Sequence, residues 1–239
     1  WNMKILFFFY REWAFDVYKA LLHVYPDAQL VDNEKTLEIL ARNSNWDVIL
    51  AVGWSWKIPA DIVNANIVVG VHPSDLPAYA GGSPIQNQIL DGIETTNATL
   101  FRFNEEFDKG AIVDKEPISL KGHLSDVLES ISCASVILLL RFLKDFPNNT
   151  YTQQTQKGKT VKRLKPSDSQ LPQPTKLMRK YVGLCPLSVE VPEKIYTCKE
   201  MWDAIRCRED PYPNVFFEDE TGRLIIKWVE FEPKNHSDS

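Results

Sequence analysis

Three short stretches of the chain are almost unbroken in apolar residues: Lys4-Ile5-Leu6-Phe7-Phe8-Phe9-Tyr10, Asp47-Val48-Ile49-Leu50-Ala51-Val52-Gly53 and Asn66-Ile67-Val68-Val69-Gly70-Val71. A strand with one wet face would alternate, so runs of this kind predict strands covered on both faces, as in a parallel sheet. After the first run, Trp13, Val17, Leu21 and Val24 recur at helical spacing, with Phe15 and Leu22 flanking. They predict a helix over Glu12–Tyr25 that Pro26-Asp27 closes, and a second helix is expected over Glu34–Arg42. The first seventy residues thus read β-α-β-α-β-β, with room for only a short helix between the last two strands. That order predicts an α/β fold with a doubly wound, mostly parallel, Rossmann-like sheet.

Ser83, Pro84 and Gln86 have the spacing of an N-cap, a first helical proline and a capping-box partner, and Asp91-Gly92 would stop the helix they start. Ala98–Phe103 and Ala111–Val113 read as strands joined through a turn at Asn104–Gly110. Ser125–Phe146 reads as a long amphipathic helix with Val127, Leu128, Ile131, Ala134, Leu138 and Phe142 on one face. Beyond Pro147-Asn148-Asn149 the chain turns polar and Pro-dotted. A helix over Thr197–Arg206 and an alternating strand pair, Asn214–Glu218 and Arg223–Trp228, follow, turning at Asp219–Gly222. The expected organisation is a catalytic domain over 1–150, an irregular linker over 151–194 and a small α+β unit over 195–239. Residues 195–234 are too few to fold alone and must pack on the main domain or a second subunit. A homodimer is expected.

Composition narrows the functional classes. Apolar residues make up 44% of the 239 and include seven Trp, which is enough for a buried core and excludes a disordered chain. A net charge of −5 argues against a nucleic-acid binder, and the slight basic excess after residue 150 is too weak for a nucleic-acid arm. Cys133, Cys185, Cys198 and Cys207 are widely spaced, with no Cys-x-x-Cys pair, so neither a structural metal nor a disulfide framework is expected. No apolar run approaches the roughly 20 residues a bilayer requires. The opening Trp1-Asn2-Met3-Lys4 leads straight into a strand without the pattern of a secretory leader. The expected location is cytoplasmic.

The dinucleotide, P-loop, zinc-peptidase and nucleophile-elbow motifs are all absent. What remains is the run Gly70-Val71-His72-Pro73-Ser74-Asp75-Leu76-Pro77-Ala78-Tyr79-Ala80-Gly81-Gly82-Ser83-Pro84, in which a buried strand delivers His72 into a loop too rich in Pro and Gly to be helical. Ligands of open α/β sheets bind at the carboxyl ends of strands, and histidine titrates nearest neutrality, so His72 is either an acid-base group or a plain strand-end cap. A second feature is Asp108 in Phe107-Asp108-Lys109-Gly110-Ala111-Ile112-Val113, a turn carboxylate that takes on chemistry only with a partner.

Taken together, His-Pro-Ser-x-Leu-Pro-x-Tyr-x-Gly, the Ser-Pro that follows and the later Asp-x-Gly-x-Ile resemble the folate-dependent formyltransferases. Gly53-Trp54-Ser55-Trp56-Lys57-Ile58-Pro59, the doubled Gly81-Gly82 and Pro211–Phe217 look most like the nucleotide-sugar N-formyltransferases. The resemblance implies formyl transfer from 10-formyltetrahydrofolate to an amino group on a dTDP- or GDP-linked deoxysugar. It also implies a role in O-antigen or related glycan synthesis, with no metal. A formyltransferase acting on methionyl-tRNA is the alternative, disfavoured because its members carry a larger basic C-terminal domain. A silent binding protein for folate or nucleotide sugar is the rival from another class.

By that resemblance His72 and Asp108 are the catalytic pair. His72 would bond the developing oxyanion and assist proton transfer, and Asp108 would orient it and stabilise the cationic amine. The folate is expected at Trp54, Ser55, Trp56, Lys57 and Ile58 and at Asp108 and Gly110, read chiefly through backbone groups, although core packing also accounts for the two tryptophans. The acceptor is expected at Arg11, Ser74, Tyr79, Gly81, Gly82, Ser83, Gln86 and Asn87, with a diphosphate at the N-terminus of the helix opened by Ser83. Ser83 and Gln86 equally fit a capping box, Arg11 a solvated side chain and Asn87 a helix surface. One departure stands out: the family has asparagine, an oxyanion donor, where this chain has Gly70. Asn66 and Asn64 lie too deep along the strand to replace it. The expectation is therefore a slow enzyme that Gly70→Asn would accelerate by up to roughly 10²-fold.

Overall fold

The computed structural model describes residues 3–43, 45–171 and 196–234. Most of the expected irregular linker, Cys185 included, lies outside the described residues. The described residues fall into two compact units, one within 1–88 and 93–163 and the other within 89–92 and 164–239.

In the first unit the apolar runs become β1 (Ile5–Phe9), β3 (Val48–Val52) and β4 (Val68–His72), joined by a short strand β2 (Gln29–Val31) at the sheet edge. The sheet continues through β6 (Thr95–Arg102) and β7 (Ile112–Ser119) in the order β2-β1-β3-β4-β6-β7. Pairing is parallel from β2 to β4 and antiparallel at β4–β6 and β6–β7. Helices cover both faces, as continuous apolar strands require. α1 (Trp13–Leu22) buries Ala14, Val17 and Leu21, and its Tyr18 ring lies 5.4 Å from that of Phe7. α2 (Glu34–Asn43) and α3 (Ala60–Ala65) bury Leu37, Ala41, Ile62 and Val63 against Leu6, Phe8, Ile49, Ala51 and Val68 on the opposite face. α3 is the short helix for which the sequence left room, and Pro59 starts it.

α5 (Leu124–Asp145) carries the expected stripe, with Val127, Leu128, Ile131, Ala134, Leu138 and Phe142 all buried. His123 and Asp126 cap its start, the His123 amide donating to Asp126 at 2.8 Å. The helix after the glycine loop is α4 (Pro84–Leu90), but Ser83 has φ +52, not the extended backbone of an N-cap residue. Residues just beyond 150 stay with the first unit: Thr152 bridges Ile112, and β8 (Thr160–Val161) pairs in parallel with β5 (Ala80–Gly81).

In the second unit, a capping box of Thr197 and Glu200 opens α6 (Cys198–Arg206). β9 (Val215–Asp219) and β10 (Gly222–Ile226) form the expected hairpin, its turn held by the Thr221 amide donating to Asp219 at 2.8 Å. Leu171, Ala204, Ile205 and Val215 are its core.

Candidate active site

Because β1, β3 and β4 run parallel, their carboxyl ends share one edge of the sheet, where Phe9 is level with Val52, and Val52 with Val71. The loops that leave this edge are tied together. The Arg11 amide donates to Gly53 O at 3.3 Å, and Gly53 takes φ +59 where a Cβ would press on Arg11, Trp13 and Ala14. His72 closes β4 at this edge, opposite Thr99 of β6, and is 7% exposed.

The His72 ring is fixed by its contacts. Nε2 lies 2.9 Å from the carbonyl oxygen of Tyr79, and since a carbonyl only accepts, Nε2 carries a proton and donates it there. In the neutral ring Nδ1 then holds the lone pair, and it faces Asp108 Oδ2 at 3.6 Å. The same Oδ2 accepts the Gly81 amide at 2.8 Å. This arrangement corrects one expectation. With Nε2 bound to Tyr79, the neutral ring has no donor for an oxyanion, and Nδ1 is the atom left for proton chemistry.

Among the described residues, three without the freedom of glycine sit at positive φ, and all belong to these loops: Tyr79 (+56), Ser83 (+52) and Asp108 (+53). Left-handed backbone of this kind costs of order 1–3 kcal/mol per residue and persists where surroundings enforce it, often at functional sites. The enforcing contacts are explicit. Ser74 Oγ donates to Ala78 O, Gln88 Nε2 to Pro73 O at 2.8 Å, Thr99 Oγ1 to Ser74 O at 2.7 Å and Lys115 Nζ to Leu76 O at 2.8 Å. Gln154 Nε2 donates to the carbonyls of both Asp108 (2.9 Å) and Gly110 (2.7 Å), clamping the carboxylate's turn.

Several residues expected at the acceptor are instead spent on the scaffold. Ser74 is buried with its hydroxyl on Ala78 O. The Gly81 amide serves Asp108 and the Gly82 amide serves Val161 O, so neither glycine is left to the diphosphate cradle expected at the start of α4, a helix of only 7 residues. Asn87 gives its amide to the carbonyls of Gly82, Ser83 and Lys162. Gln86 is 3% exposed, and its Nε2 has no hydrogen-bond partner among the described residues. Tyr79 acts through its carbonyl, while its ring stacks under Lys159 Nζ at 4.9 Å. Arg11 lies over the Tyr10 ring at 5.0 Å on the ligand edge.

At the expected folate segment, Ile58 belongs to the core and Lys57 is exposed. Ser55 O accepts from Arg163 Nη2 at 3.0 Å. Trp54 packs edge-on against Phe8 (4.9 Å) and Trp56 (4.9 Å), and Trp56 against Tyr10 (4.3 Å). The Trp54 indole nitrogen is buried with no partner among the described residues, while Trp56 is 38% exposed. Gly70 is walled in: a Cβ there would overlap the Phe103 ring and lie 2.5 Å from Ala51 O. The space that a side chain at position 70 would need is filled by Phe103, which stacks on Phe101 at 4.7 Å. Gln154, Gln88 and Thr99 carried no sequence signal, since the first sits in a polar tract and the others in ordinary helix and strand positions.

Residues 21–131, which span this edge together with His72 and Asp108, match the family model described as formyl transferase. The methionyl-tRNA formyltransferase of Rickettsia canadensis is 27% identical over 132 residues, 54% of this chain and 43% of that protein. The chain thus spans under half the length of the curated relatives it matches. Among solved structures, a methionyl-tRNA formyltransferase from Clostridium thermocellum superposes with a TM-score of 0.80 at 21% identity, covering 96% of this chain and 94% of that one. A likely sugar N-formyltransferase from Mycobacterium tuberculosis does so with 0.73 at 16% identity, covering 98% and 99%. At these identities the structural likeness establishes the fold.

Proposed function

With residues 21–131 belonging to the formyl transferase family, we propose that the protein moves a formyl group from 10-formyltetrahydrofolate to the amino group of a nucleotide-linked amino-deoxysugar, of the dTDP-4-amino-4,6-dideoxyglucose type. The observation that carries the reading is the His72–Asp108 pair. One nitrogen of the ring is fixed by Tyr79 O and the other is left as a base facing a carboxylate. Attack by a neutral amine on the formyl carbon forms one C–N bond, breaks another and requires the amine to lose a proton. Nδ1 of His72 takes that proton, and Asp108, anchored by the Gly81 amide, stabilises the imidazolium. The proton held at Nδ1 is then the one returned to the leaving nitrogen.

The folate supplies the formyl carbon and a nitrogen leaving group. The residues present suit it: Tyr10 and Trp56, both exposed, form with Trp54 an aromatic wall for a flat heterocycle. A small anionic acceptor is favoured over a nucleic acid because the chain is acidic overall, at −5. The names of the curated relatives favour a second reading, formyl transfer to methionyl-tRNA. A cytoplasmic homodimer belongs to the same proposal. Its supports are the exposed Leu224, Ile225 and Trp228 of the second unit, and the finding that no helix among the described residues is long and apolar enough to cross a membrane.

The deciding experiment mixes the protein and 10-formyltetrahydrofolate with dTDP- and GDP-linked amino-deoxysugars and with methionyl-tRNA in parallel, following tetrahydrofolate release and formylated product by mass spectrometry. Formylation of a nucleotide sugar is expected. Formylation of the tRNA alone would replace the first reading with the second, and release with neither acceptor would refute both.

A further inference from the structure

Residues 157–163 read Lys-Gly-Lys-Thr-Val-Lys-Arg, a run of cations in a chain that is otherwise acidic. The run is joined backbone to backbone to the loop that carries His72. β8 pairs with β5 in the register Ala80–Thr160 and Gly81–Val161, and the Gly82 amide donates to Val161 O at 3.0 Å. Glycine permits this approach: a Cβ on Gly158 would overlap Pro77 O, one on Gly81 would overlap Val161 O, and one on Gly82 would lie 2.5 Å from the Arg163 nitrogen. Asn87 ties down Lys162 O.

The cations reach both loops that flank the catalytic pair. Lys159 Nζ sits 4.9 Å over the ring of Tyr79, the residue whose carbonyl holds His72, and Arg163 Nη2 donates to Ser55 O in the loop after β3. All four cationic side chains, Lys157, Lys159, Lys162 and Arg163, are exposed. Among the described residues no ion pair engages Lys157, Lys162 or Arg163. Three exposed cations, Lys157, Lys162 and Arg163, with no ion pair among the described residues and set beside the loops that carry the catalytic pair, attract an anion. The amides of Gly81 and Gly82, the obvious alternative donors, are already occupied.

We propose that Lys157, Lys159, Lys162 and Arg163 form the subsite for the diphosphate of the acceptor, an inference that rests on the site being a formyl transferase acting on a nucleotide-linked substrate. Lysines on flexible stems neutralise a diphosphate as mobile point charges, and Arg163 adds a planar fork beside them. The backbone of the run is anchored to residues 77–87, on the His72 loop, and only the Arg163 side chain reaches the Ser55 loop, which assigns the run to the acceptor in preference to the carboxylates of the folate tail.

The test uses calorimetric titration of the whole protein with thymidine diphosphate, inorganic pyrophosphate and triglutamyl tetrahydrofolate. It compares the parent with Lys157→Ala/Lys162→Ala, Lys162→Glu and Lys162→Arg. Each lost cation should weaken thymidine diphosphate about fivefold, so the double variant should lose about 25-fold. Lys162→Glu should lose more than a single neutralisation, and Lys162→Arg should bind as the parent does. Pyrophosphate should compete, added salt should weaken binding, and the melting temperature and folate affinity should not move. Parent-like diphosphate affinity in the double variant, no diphosphate binding by the parent, or a loss confined to the polyglutamyl folate would each overturn the assignment. Formyl transfer to an unphosphorylated amine with kinetics unaltered in the variants would also overturn it while leaving formyl transfer standing. Charge-dependent diphosphate binding by a protein that transfers no formyl group would keep the subsite and refute the activity.

Discussion

Gly70→Asn would introduce the asparagine that the resemblance to formyltransferases implies at this position, and the surroundings of Gly70 say that the change is costly. The residue lies in β4 between Ala51 of β3 and Phe101 of β6. A new Cβ would overlap the Phe103 ring and approach Ala51 O to 2.5 Å. The ring has some latitude to turn. The carbonyl has none, because β3 is paired on one side with β1 and on the other with β4 itself. Forcing atoms into a packed site costs typically 1–3 kcal/mol, and one yielding plus one unyielding obstacle places this substitution at the upper end, about 3 kcal/mol. For a chain of this size that is a fall of about 6–12 °C in the melting temperature. Scanning calorimetry reads it directly. Turnover should fall as well, because strain at Gly70 is transmitted along β4 to His72 two residues on. Adding Phe103→Ala should recover the part due to the ring, a coupling of about 1 kcal/mol or more, and leave the part due to Ala51 O. A Gly70→Asn protein that melts with the parent and turns over faster would refute this account and restore the simpler view, that the glycine merely lacks a donor.

His72→Asn should fold normally, since His72 ends β4 and gives up only its bond to Tyr79 O, and should lose roughly two orders of magnitude or more in turnover; near-parental turnover with an intact melting curve would remove His72 from the chemistry. Asp108→Asn keeps the size of the side chain but not its charge, so turnover should drop while folate and acceptor affinities, measured by calorimetry, persist; joint loss of affinity and stability would make Asp108 structural. Gln154→Ala removes two bonds of about 1 kcal/mol each from the Asp108 turn and should lower kcat about tenfold and shift its pH profile with little change in KM; a lower melting temperature with an unchanged profile would limit Gln154 to structure. Burial raises the Cys207 thiol from an ordinary 9.0 to about 11. The unfolded chain therefore loses its proton first as pH rises through 9, and the contribution is intact below pH 9 and lost by pH 11. Unfolding free energies from urea titrations at pH 8 and 10.5 should differ more in the parent than in Cys207→Ala, by about 2 kcal/mol; equal differences would refute the assignment.

The parts of this structure legible in the sequence are those set by periodicity. Continuous runs such as Ile5–Phe9 and Val48–Val52 could only be buried strands, and the stripe from Val127 to Phe142 could only face the sheet. The antiparallel return of β6 onto β4 depends instead on which strands meet in space, which local pattern does not encode. The same division runs through the site. His72 at a strand end and Asp108 in its turn were visible because a strand, a loop and a family motif converge on them. The role of each nitrogen of His72 was not, because it is decided by the carbonyl of Tyr79, and main-chain carbonyls leave no mark in sequence. Gly81 and Gly82 show how this misleads. Glycines before a helix suggest amides waiting for phosphate, yet here their small size admits the backbone of 161–163, which takes the Gly82 amide and brings its own cations to the rim. A glycine pair of this kind is a statement about close approach, and what approaches can be protein as readily as ligand. Gly70 follows the same logic with the opposite sign. Read alone it is a missing donor, but beside Phe103 it is half of a packing pair, so substitutions at the two positions must be made together if the family's asparagine is to be restored.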